Sequence, residues 1–248
     1  MEENLSMSHV YPKHKSRPID QLITFFTRHW LAIFGVVFGM IVVLPFTAPV
    51  LMQVGLTGPA RLIYFLYSFL CHQLPERSFF LFGPQTMYSL EELQRAGADT
   101  TTMFALRKFI GSPELGWKVA WSDRMVWMYT STWLYGLLWR PLFSKIKGLP
   151  WWGLGFFLVP MALDGTTHFI SDLAGIGRGF RVSNDLLAQL TDYAFSPSFY
   201  VGDGLGSFNS WMRMLTGLLF GLGITWFAFP HLDKIRLATK NHAPKDSH

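Results

Sequence analysis

The sequence predicts an all-α integral membrane protein with about four transmembrane helices, a re-entrant or interfacial helical segment and structured outer loops. Residues 30–52 form an apolar run without a single charge, long enough at about 1.5 Å per residue to cross a hydrocarbon core of roughly 30 Å. Only 15% of the 248 residues are charged and 50% are hydrophobic, whereas a soluble domain carries about 25% charged residues. Basic residues cluster beside the apolar runs, as they do at the cytoplasmic flanks of membrane helices.

Four apolar segments are predicted to span the membrane. Each has Trp, Tyr or Pro near its ends, and the rings of Trp and Tyr favour the level of the lipid headgroups. The membrane domain, residues 29–230, is expected to lie between two cytoplasmic tails, residues 1–28 and 231–248. The predicted spans are approximately residues 29–52, 126–140, 149–164 and 211–230.

Residues 60–83 form a fifth apolar stretch with polar residues at its centre. The run at residues 62–70 is too short to span alone, and Glu76 and Arg77 would lie in mid-membrane if the whole stretch crossed. Pro75 removes a helical hydrogen bond at the same place. We therefore expect a re-entrant or interfacial helical pair here, with a fifth span as the alternative.

The basic residues also set the expected orientation. With the N-terminus inside, four spans place residues 140–149, with their three basic residues, and the basic C-terminal tail in the cytoplasm. Residues 53–125 and 165–210 then face outward. The first 28 residues lack the layout of a signal peptide. We expect a multi-pass protein of the cell membrane, with both termini cytoplasmic and no nucleic-acid partner.

Two short motifs predict local structure in the outer loops. Ser89 and Glu92 fit a capping box, which predicts a short helix ending near Arg95. Ser112 followed by Pro113 resembles a helix start with proline at the first position. Many aromatic residues in these loops indicate that they pack on the membrane surface or form a small lid.

The predicted topology brings polar residues from distant parts of the chain to one face of the membrane. Asp123 and Arg124 precede the second span, whereas Asp164 follows the third. Polar residues that penetrate a membrane are functional candidates, although Asp–Arg pairs also hold helix ends together without doing chemistry. The predicted pocket consists of Cys71, His72, Glu76, Arg77, Asp123, Arg124, Asp164, His168 and Arg213.

Thiol, imidazole and carboxylate groups in this pocket make a donor set suited to zinc or another divalent metal. The candidate ligands are His72, Asp164 and His168, and Cys71 joins them if Pro75 breaks its helix. No Cys-x-x-Cys pair is present, and a buried cysteine more commonly acts as a small hydrophobe. A Cys71–His168 nucleophilic pair is a further alternative, so the sequence leaves open whether the protein is an enzyme.

Three functions compete at this point. The first is a membrane protein with an outward-facing polar pocket that binds a metal ion or an anionic lipid headgroup. The second is a non-catalytic subunit of a larger membrane complex, or a homo-oligomer, that uses the glycines of the last span (Gly217, Gly221 and Gly223) as a contact face. The third is a small-solute transporter, against which the small number of spans and the lack of a repeat count.

The string at residues 71–79 resembles the signature of a prokaryotic family of predicted membrane proteins, domain of unknown function 2085. Residues 122–124, the Pro-x-x-x-Asp-Gly element at residues 160–165, Asn184 and the Arg-x-x-x-Gly element at residues 213–217 are similar to further elements of that family. The resemblance covers most of residues 60–225 and adds Asn184 to the candidate pocket. It implies a membrane fold and the location of a site, but no reaction.

Two departures from the family pattern bear on the site. Members of the family often carry a cysteine where this chain has Ser122, and a glutamine where it has His168. If the family's cysteines act as a pair, in a disulfide or as metal ligands, this chain cannot do so in the same way. His168 is a candidate replacement for the lost ligand.

Overall fold

The computed structural model describes residues 18–242 of the chain. The segments of the predicted tails at residues 1–17 and 243–248 lie outside the described residues, and the rest of both tails continues the first and last long helices. The helices are α1 (Pro18–Gln53), α2 (Thr57–Tyr67), α3 (Leu90–Arg95), α4 (Met103–Leu106), α5 (Asp123–Leu137), α6 (Trp151–Asp172), α7 (Phe180–Ser183), α8 (Asp185–Leu190), α9 (Pro197–Tyr200) and α10 (Phe208–His242), and the strands are β1 (Ser78–Leu81), β2 (Gly111–Ser112) and β3 (Gly116–Ser122).

Four long antiparallel helices, α1, α5, α6 and α10, pack side by side in the order α1, α5, α10, α6. They occur where the sequence has its four long apolar segments. Helices α1 and α6 end at the same end of the bundle at which α5 and α10 begin. The connecting residues 54–122 and 173–207 lie at that end, and we call them the cap.

Within the described residues, two helices are long and apolar enough to cross a membrane, judged by length and composition. They cover Gln21–Gln53 and Phe208–Thr239. The protein is thus mostly helical with two candidate membrane-spanning helices. It also contains a small three-stranded sheet, which the sequence analysis did not predict.

The stretch at residues 60–83 turns back instead of continuing as one long helix. Helix α2 packs along the end of α1, and the Tyr67 hydroxyl at its last residue donates a 3.0 Å hydrogen bond to the Ile41 carbonyl, well inside α1. The chain then returns through a 3-10 turn at Pro75–Arg77 into strand β1. The expected helical pair is therefore a single helix followed by a turn and a strand.

Strand β3 is the centre of the sheet and leads directly into α5. It pairs antiparallel with β1, with Ser78 opposite Ser122, and with β2 on its other edge. Its residues from Lys118 to Ser122 are all buried, so they show no apolar–polar alternation, which is the main sequence signal for a strand. Trp121 packs between Tyr67 and Tyr129 in a core shared by α1, α2, β3 and α5.

One of the two local motifs is confirmed and the other is wrong. Ser89 and Glu92 cap each other's backbone amides at the start of α3, which ends at Arg95 as predicted. Ser112 does cap the Leu115 amide, at 3.2 Å, but no helix follows. The residues from Ser112 onward instead form the tight turn between β2 and β3, because Gly111 and Gly116 adopt positive φ angles that reverse the chain.

The glycines of α10 are contact points within the chain. A Cβ at Gly221 would lie 2.2 Å from the Ser131 hydroxyl oxygen of α5, and one at Gly223 would lie 2.4 Å from Phe157 Cβ of α6. A Cβ at Gly217 would lie 2.9 Å from Trp127 Cβ of α5. These glycines let three helices approach closely, so they are not the free contact face that the accessory-subunit hypothesis uses.

Candidate functional site

A chain of buried ion pairs joins the start of α10 to the start of α5 and to the cap. Arg213 lies in the second turn of α10 and is 2% exposed. Its Nε donates to Asp123 Oδ2 at 2.7 Å, and its two terminal nitrogens donate to the carboxylate and the carbonyl of Asp203. Every nitrogen of this guanidinium therefore has a partner.

Arg77 extends this chain of ion pairs to α6. Its two terminal nitrogens donate to both carboxylate oxygens of Asp172, at 2.8 and 2.7 Å, and its Nε donates to Asp203 Oδ2 at 2.9 Å. Asp203 is thus shared by Arg77 and Arg213, and these two guanidiniums keep the pKa of its carboxyl below the ordinary range although burial opposes them. The bidentate geometry with Asp172 is the stronger form of an arginine–carboxylate pair.

A second cluster surrounds Asp164 on α6. Arg124 of α5 donates to its Oδ2 at 2.7 Å, and Arg181 of α7 donates to its Oδ1 at 2.6 Å. Arg181 also lies 3.1 Å from His168 Nε2. Since a guanidinium only donates, Nε2 accepts and the ring proton resides on Nδ1, which has no partner among the described residues.

The two clusters together contain four arginines and four aspartates, so their formal charges cancel. Buried charges of this kind require partners, because an uncompensated ion in a low-dielectric interior is costly. The pairs connect α5, α6 and α10 to the cap, which is what the purely structural interpretation of the sequence expected. The aspartates are Asp123, Asp164, Asp172 and Asp203, and the arginines are Arg77, Arg124, Arg181 and Arg213.

The structure does not support the predicted metal centre. Among the described residues, no group of three or more His, Cys, Asp and Glu side chains is arranged to hold a metal ion. Both carboxylate oxygens of Asp164 already accept from arginines, and His72 is exposed on the cap. Asp164 is thus an Arg-paired aspartate with His168 beside it, whereas His72 has an exposed side chain that lies close enough to Arg77 and Asp172 for their charges to act on it.

Cys71 and Asn184 lie close to the ion pairs but have packing roles. The Cys71 thiol is buried and lies 3.4 Å from the Ser122 hydroxyl at the end of β3. The backbone of Asn184 is left-handed, with a φ of 48°, and its side-chain amide donates to the carbonyls of Arg181 and Tyr200. Asn184 thus fixes the turn that carries Arg181 toward Asp164.

A cavity of about 710 Å³ opens in the cap beside the first ion-pair chain. Glu76, Arg77, Asp172 and Asp203 border it on the side of the bundle. Segments around α3, the end of α6 and the loop before α10 supply the other walls. Its volume is within the range of about 300–1,000 Å³ that is typical of small-molecule sites.

Glu76 borders the cavity and, unlike the neighbouring Asp172 and Asp203, forms no ion pair among the described residues. The residue is 9% exposed, and its Oε2 has no hydrogen-bond partner among the described residues. Burial raises the pKa of Glu76 to about 7, although the neighbouring Arg77 opposes the shift. A carboxyl with this pKa beside a cavity is a candidate for ligand binding or proton transfer.

Lys118 lies behind Glu76 in strand β3 and was not identified from the sequence. It is fully buried, and its Nζ donates to the carbonyls of Gln73 and Arg107, both at 2.7 Å. Burial lowers the pKa of Lys118 to about 7, while Glu76 opposes the shift. Arg181 and Asp172 were also absent from the predicted pocket, although their placement at the outer end of α6 and the loop after it would have supported including them.

Comparison with known proteins gives one similar sequence. The uncharacterized protein MJ1492 of Methanocaldococcus jannaschii is 28% identical over 144 residues, which are 56% of this chain and 65% of the relative. No family model matches the chain. No solved structure matches it either. The chain is thus similar, over just over half of its length, to a protein whose name gives no activity.

Proposed function

We propose that the protein crosses a membrane four times, through α1, α5, α6 and α10, and that the cavity in its cap binds a small molecule at the outer face. The observation that carries the proposal is the cavity of about 710 Å³ bordered by Glu76, whose Oε2 is buried without a partner in the described part of the chain. A buried acceptor without a donor costs about 1–3 kcal/mol. A ligand that supplies the donor offsets this cost.

Exposed apolar side chains support four spans. They occur on each long helix, with Val36 63%, Leu134 46%, Phe156 74% and Leu215 47% exposed. In water so much apolar surface would be unfavourable, whereas in a bilayer it contacts lipid. Helix α6 has 22 residues, which at about 1.5 Å per residue match the hydrocarbon thickness.

Basic residues support an outward cap. The end of the bundle opposite the cap carries Arg140, Lys145 and Lys147 between α5 and α6, and Lys234 and Arg236 on α10. Such clusters favour the cytoplasmic side. We therefore propose a cytoplasmic-membrane location with α1 entering from inside.

The contacts at the cavity also distinguish between the expected classes of ligand. An anionic headgroup needs a guanidinium with free donors, but three of the five N–H groups of Arg77 already donate to aspartates, which also neutralise its charge. A metal ion needs a ligand group, which the described residues do not provide. Among the buried side-chain atoms of the residues that border the cavity, Glu76 Oε2 is an acceptor without a hydrogen-bond partner in the described part of the chain.

Membership of domain of unknown function 2085 is part of the proposal. Its support is that Cys71 and Ser122, the two positions at which family members often carry cysteine, lie side by side at 3.4 Å. Positions so far apart in sequence meet only if the fold brings β3 onto the returning segment. This proximity is expected of a family in which the two cysteines act together.

Two experiments test the proposal. In a Cys71→Ser background, single cysteines at Ala96 in the cap and at Ser144 between α5 and α6 are treated with a membrane-impermeant maleimide on intact cells. We expect Ala96→Cys to be labelled and Ser144→Cys to be labelled only after lysis; labelling of both in intact cells contradicts the topology.

The second experiment asks whether the cavity is occupied in the cell. Protein extracted gently from its host membrane is examined by native mass spectrometry, beside a Val201→Phe variant that narrows the cavity. Val201 borders the cavity and is 56% exposed, so the larger side chain fits without disturbing the ion pairs. We expect a bound small molecule on the native chain and its loss from the variant; equal occupancy of both contradicts a role for the cavity.

A further inference from the structure

We infer that the cavity takes an organic cation, a primary ammonium group on an apolar body, with the Glu76 carboxylate as the partner of the ammonium. The inference rests on the proposed function, because it names the chemical class of the ligand that the cavity binds. Three independent features of the cavity lead to it: its charge, a buried acceptor that has no partner among the described residues, and the composition of its walls.

The charge of the cavity favours a cation. Among the residues that border it are four acids and a single base, Arg77. Asp172 and Asp203 are paired with arginines. Glu92 accepts only from the neutral groups of Ser89 and Gln85, so these hydrogen bonds do not cancel its negative charge. Glu76 adds a second such charge when it is ionised. An anion entering this space meets the carboxylates of Glu76 and Glu92, which form no ion pair among the described residues, while three of the five N–H donors of Arg77 are already engaged by aspartates.

Glu76 is the acceptor to which an ammonium group is best matched. Its side chain is buried, yet its Oε2 lacks a donor among the described residues, in contrast to every aspartate in the neighbouring ion pairs. An ammonium carries three donors and a full charge. When the Glu76 side chain turns toward the cavity, the ammonium satisfies this oxygen and stabilises the ionised carboxylate, and charge-assisted bonds of this kind are about twice as strong as neutral ones.

The apolar walls of the cavity favour a ligand with an apolar body over a bare ion. Apolar side chains from four separate segments surround the cavity: Met87, Met103, Ile176, Val182, Val201 and Leu205. Burial of apolar ligand surface against them contributes roughly 25 cal/mol per Å². A metal ion or ammonium alone makes no use of this surface, whereas an alkyl or aryl amine does.

The test uses phenethylamine and two ligands with the same body, phenethyl alcohol and phenylacetate. Binding to the full chain in phosphatidylcholine nanodiscs is measured by isothermal titration calorimetry. We expect phenethylamine to bind and Glu76→Gln to weaken it at least tenfold. The matched control is Glu91→Gln, which removes an exposed carboxylate of α3 that pairs with Arg95, and it should leave the affinity unchanged.

Val201→Phe tests the inference even if the Glu76 variant does not fold. It leaves every charged group in place and should still abolish phenethylamine binding. If phenethylamine binds Glu76→Gln and the native chain equally, or binds neither, the inference is overturned. Preference for phenylacetate or phenethyl alcohol also overturns the ligand class, yet it leaves the cavity as a binding site. Binding that Val201→Phe does not affect contradicts both the inference and the proposed function.

A second arm identifies the source of the ammonium group. The titration is repeated in nanodiscs in which phosphatidylethanolamine replaces half of the phosphatidylcholine. A weaker apparent affinity for phenethylamine shows that an aminolipid headgroup competes for the site. An unchanged affinity assigns the site to a free amine, and either result supports a cationic ligand.

Discussion

Replacement of Ser122 by cysteine should create a disulfide with Cys71. The native thiol and the Ser122 hydroxyl are 3.4 Å apart in a buried setting, and a disulfide requires the two sulfur atoms to approach to about 2.05 Å. The adjustment is small enough for side-chain rotation and a slight shift of the return segment. We expect Ser122→Cys to oxidise spontaneously or with a mild catalyst.

The magnitude follows from the loop that the bond closes. Cys71 and Ser122 are separated by 51 positions, and a closed loop of about that length removes roughly 4 kcal/mol of conformational entropy, expressed as free energy, from the unfolded chain. The loop contains β1, α3, α4 and β2. The bond therefore links the end of β3 to the segment that returns from α2.

Thiol counting and thermal unfolding in detergent measure the effect. We expect no maleimide-reactive thiol in oxidised, denatured Ser122→Cys, two after reduction, and a higher unfolding temperature in the oxidised form. Ser131→Cys is the matched control, because Ser131 is also a buried serine but lies nine residues further along α5, about 13 Å away. Two free thiols in oxidised Ser122→Cys would refute the packing of β3 against the return segment.

Three further predictions concern the ion pairs, the helix packing and the pH dependence. Arg213→Met should cost about 3–5 kcal/mol in detergent unfolding because it leaves a buried aspartate unpaired, whereas Arg95→Met removes only an exposed pair worth about 0.3–0.5 kcal/mol; equal losses would contradict the buried network. Gly221→Ala should cost about 1–3 kcal/mol by overpacking, while Gly155→Ala, whose Cβ meets no described atom within 4 Å, should not destabilise; a tolerated Gly221→Ala would contradict the close approach of α10 and α5. The pKa of Glu76 rises from 4.5 to about 7 on folding, so between these pH values the folded state holds a proton that the unfolded state releases. The contribution of Glu76 to the free energy of unfolding should therefore fall by about 3 kcal/mol as the pH rises from about 4.5 to 7. Glu76→Gln should remove this part of the pH profile of stability, and an unchanged profile would refute a neutral buried Glu76.

Much of the helical framework could be predicted from the sequence, because a long apolar run has few alternatives. The segments at residues 29–52 and 211–230 lie within α1 and α10, and the shorter ones, 126–140 and 149–164, overlap α5 and α6, although α6 continues to Asp172. The boundaries were less accurate, since α1 and α10 extend into segments predicted as tails. The capping box at Ser89 was predicted for the same local reason, because both of its partners lie within one turn.

The candidate site could be predicted only in part. Residues of the pocket were identified because polar side chains next to apolar runs are conspicuous, and Arg77, Asp123 and Arg213 do lie in one ion-pair chain. The ion-pair partners of these residues were not identified, since Arg77, for example, pairs with Asp172, which is 95 positions away in the sequence. Nothing local to either residue indicates such a pair.

The sequence by itself determined that the chain forms long apolar helices with its strong charges gathered near their ends, because hydrophobic runs and charge placement act through composition alone. Only the tertiary structure decided which charge meets which, that β3 inserts between the returning segment and the bundle, and that Glu76 is the carboxylate left over. These outcomes depend on distances between residues far apart in the chain. Electrostatic and packing energies vary steeply with those distances, so only the folded arrangement separates a paired aspartate from an orphaned glutamate.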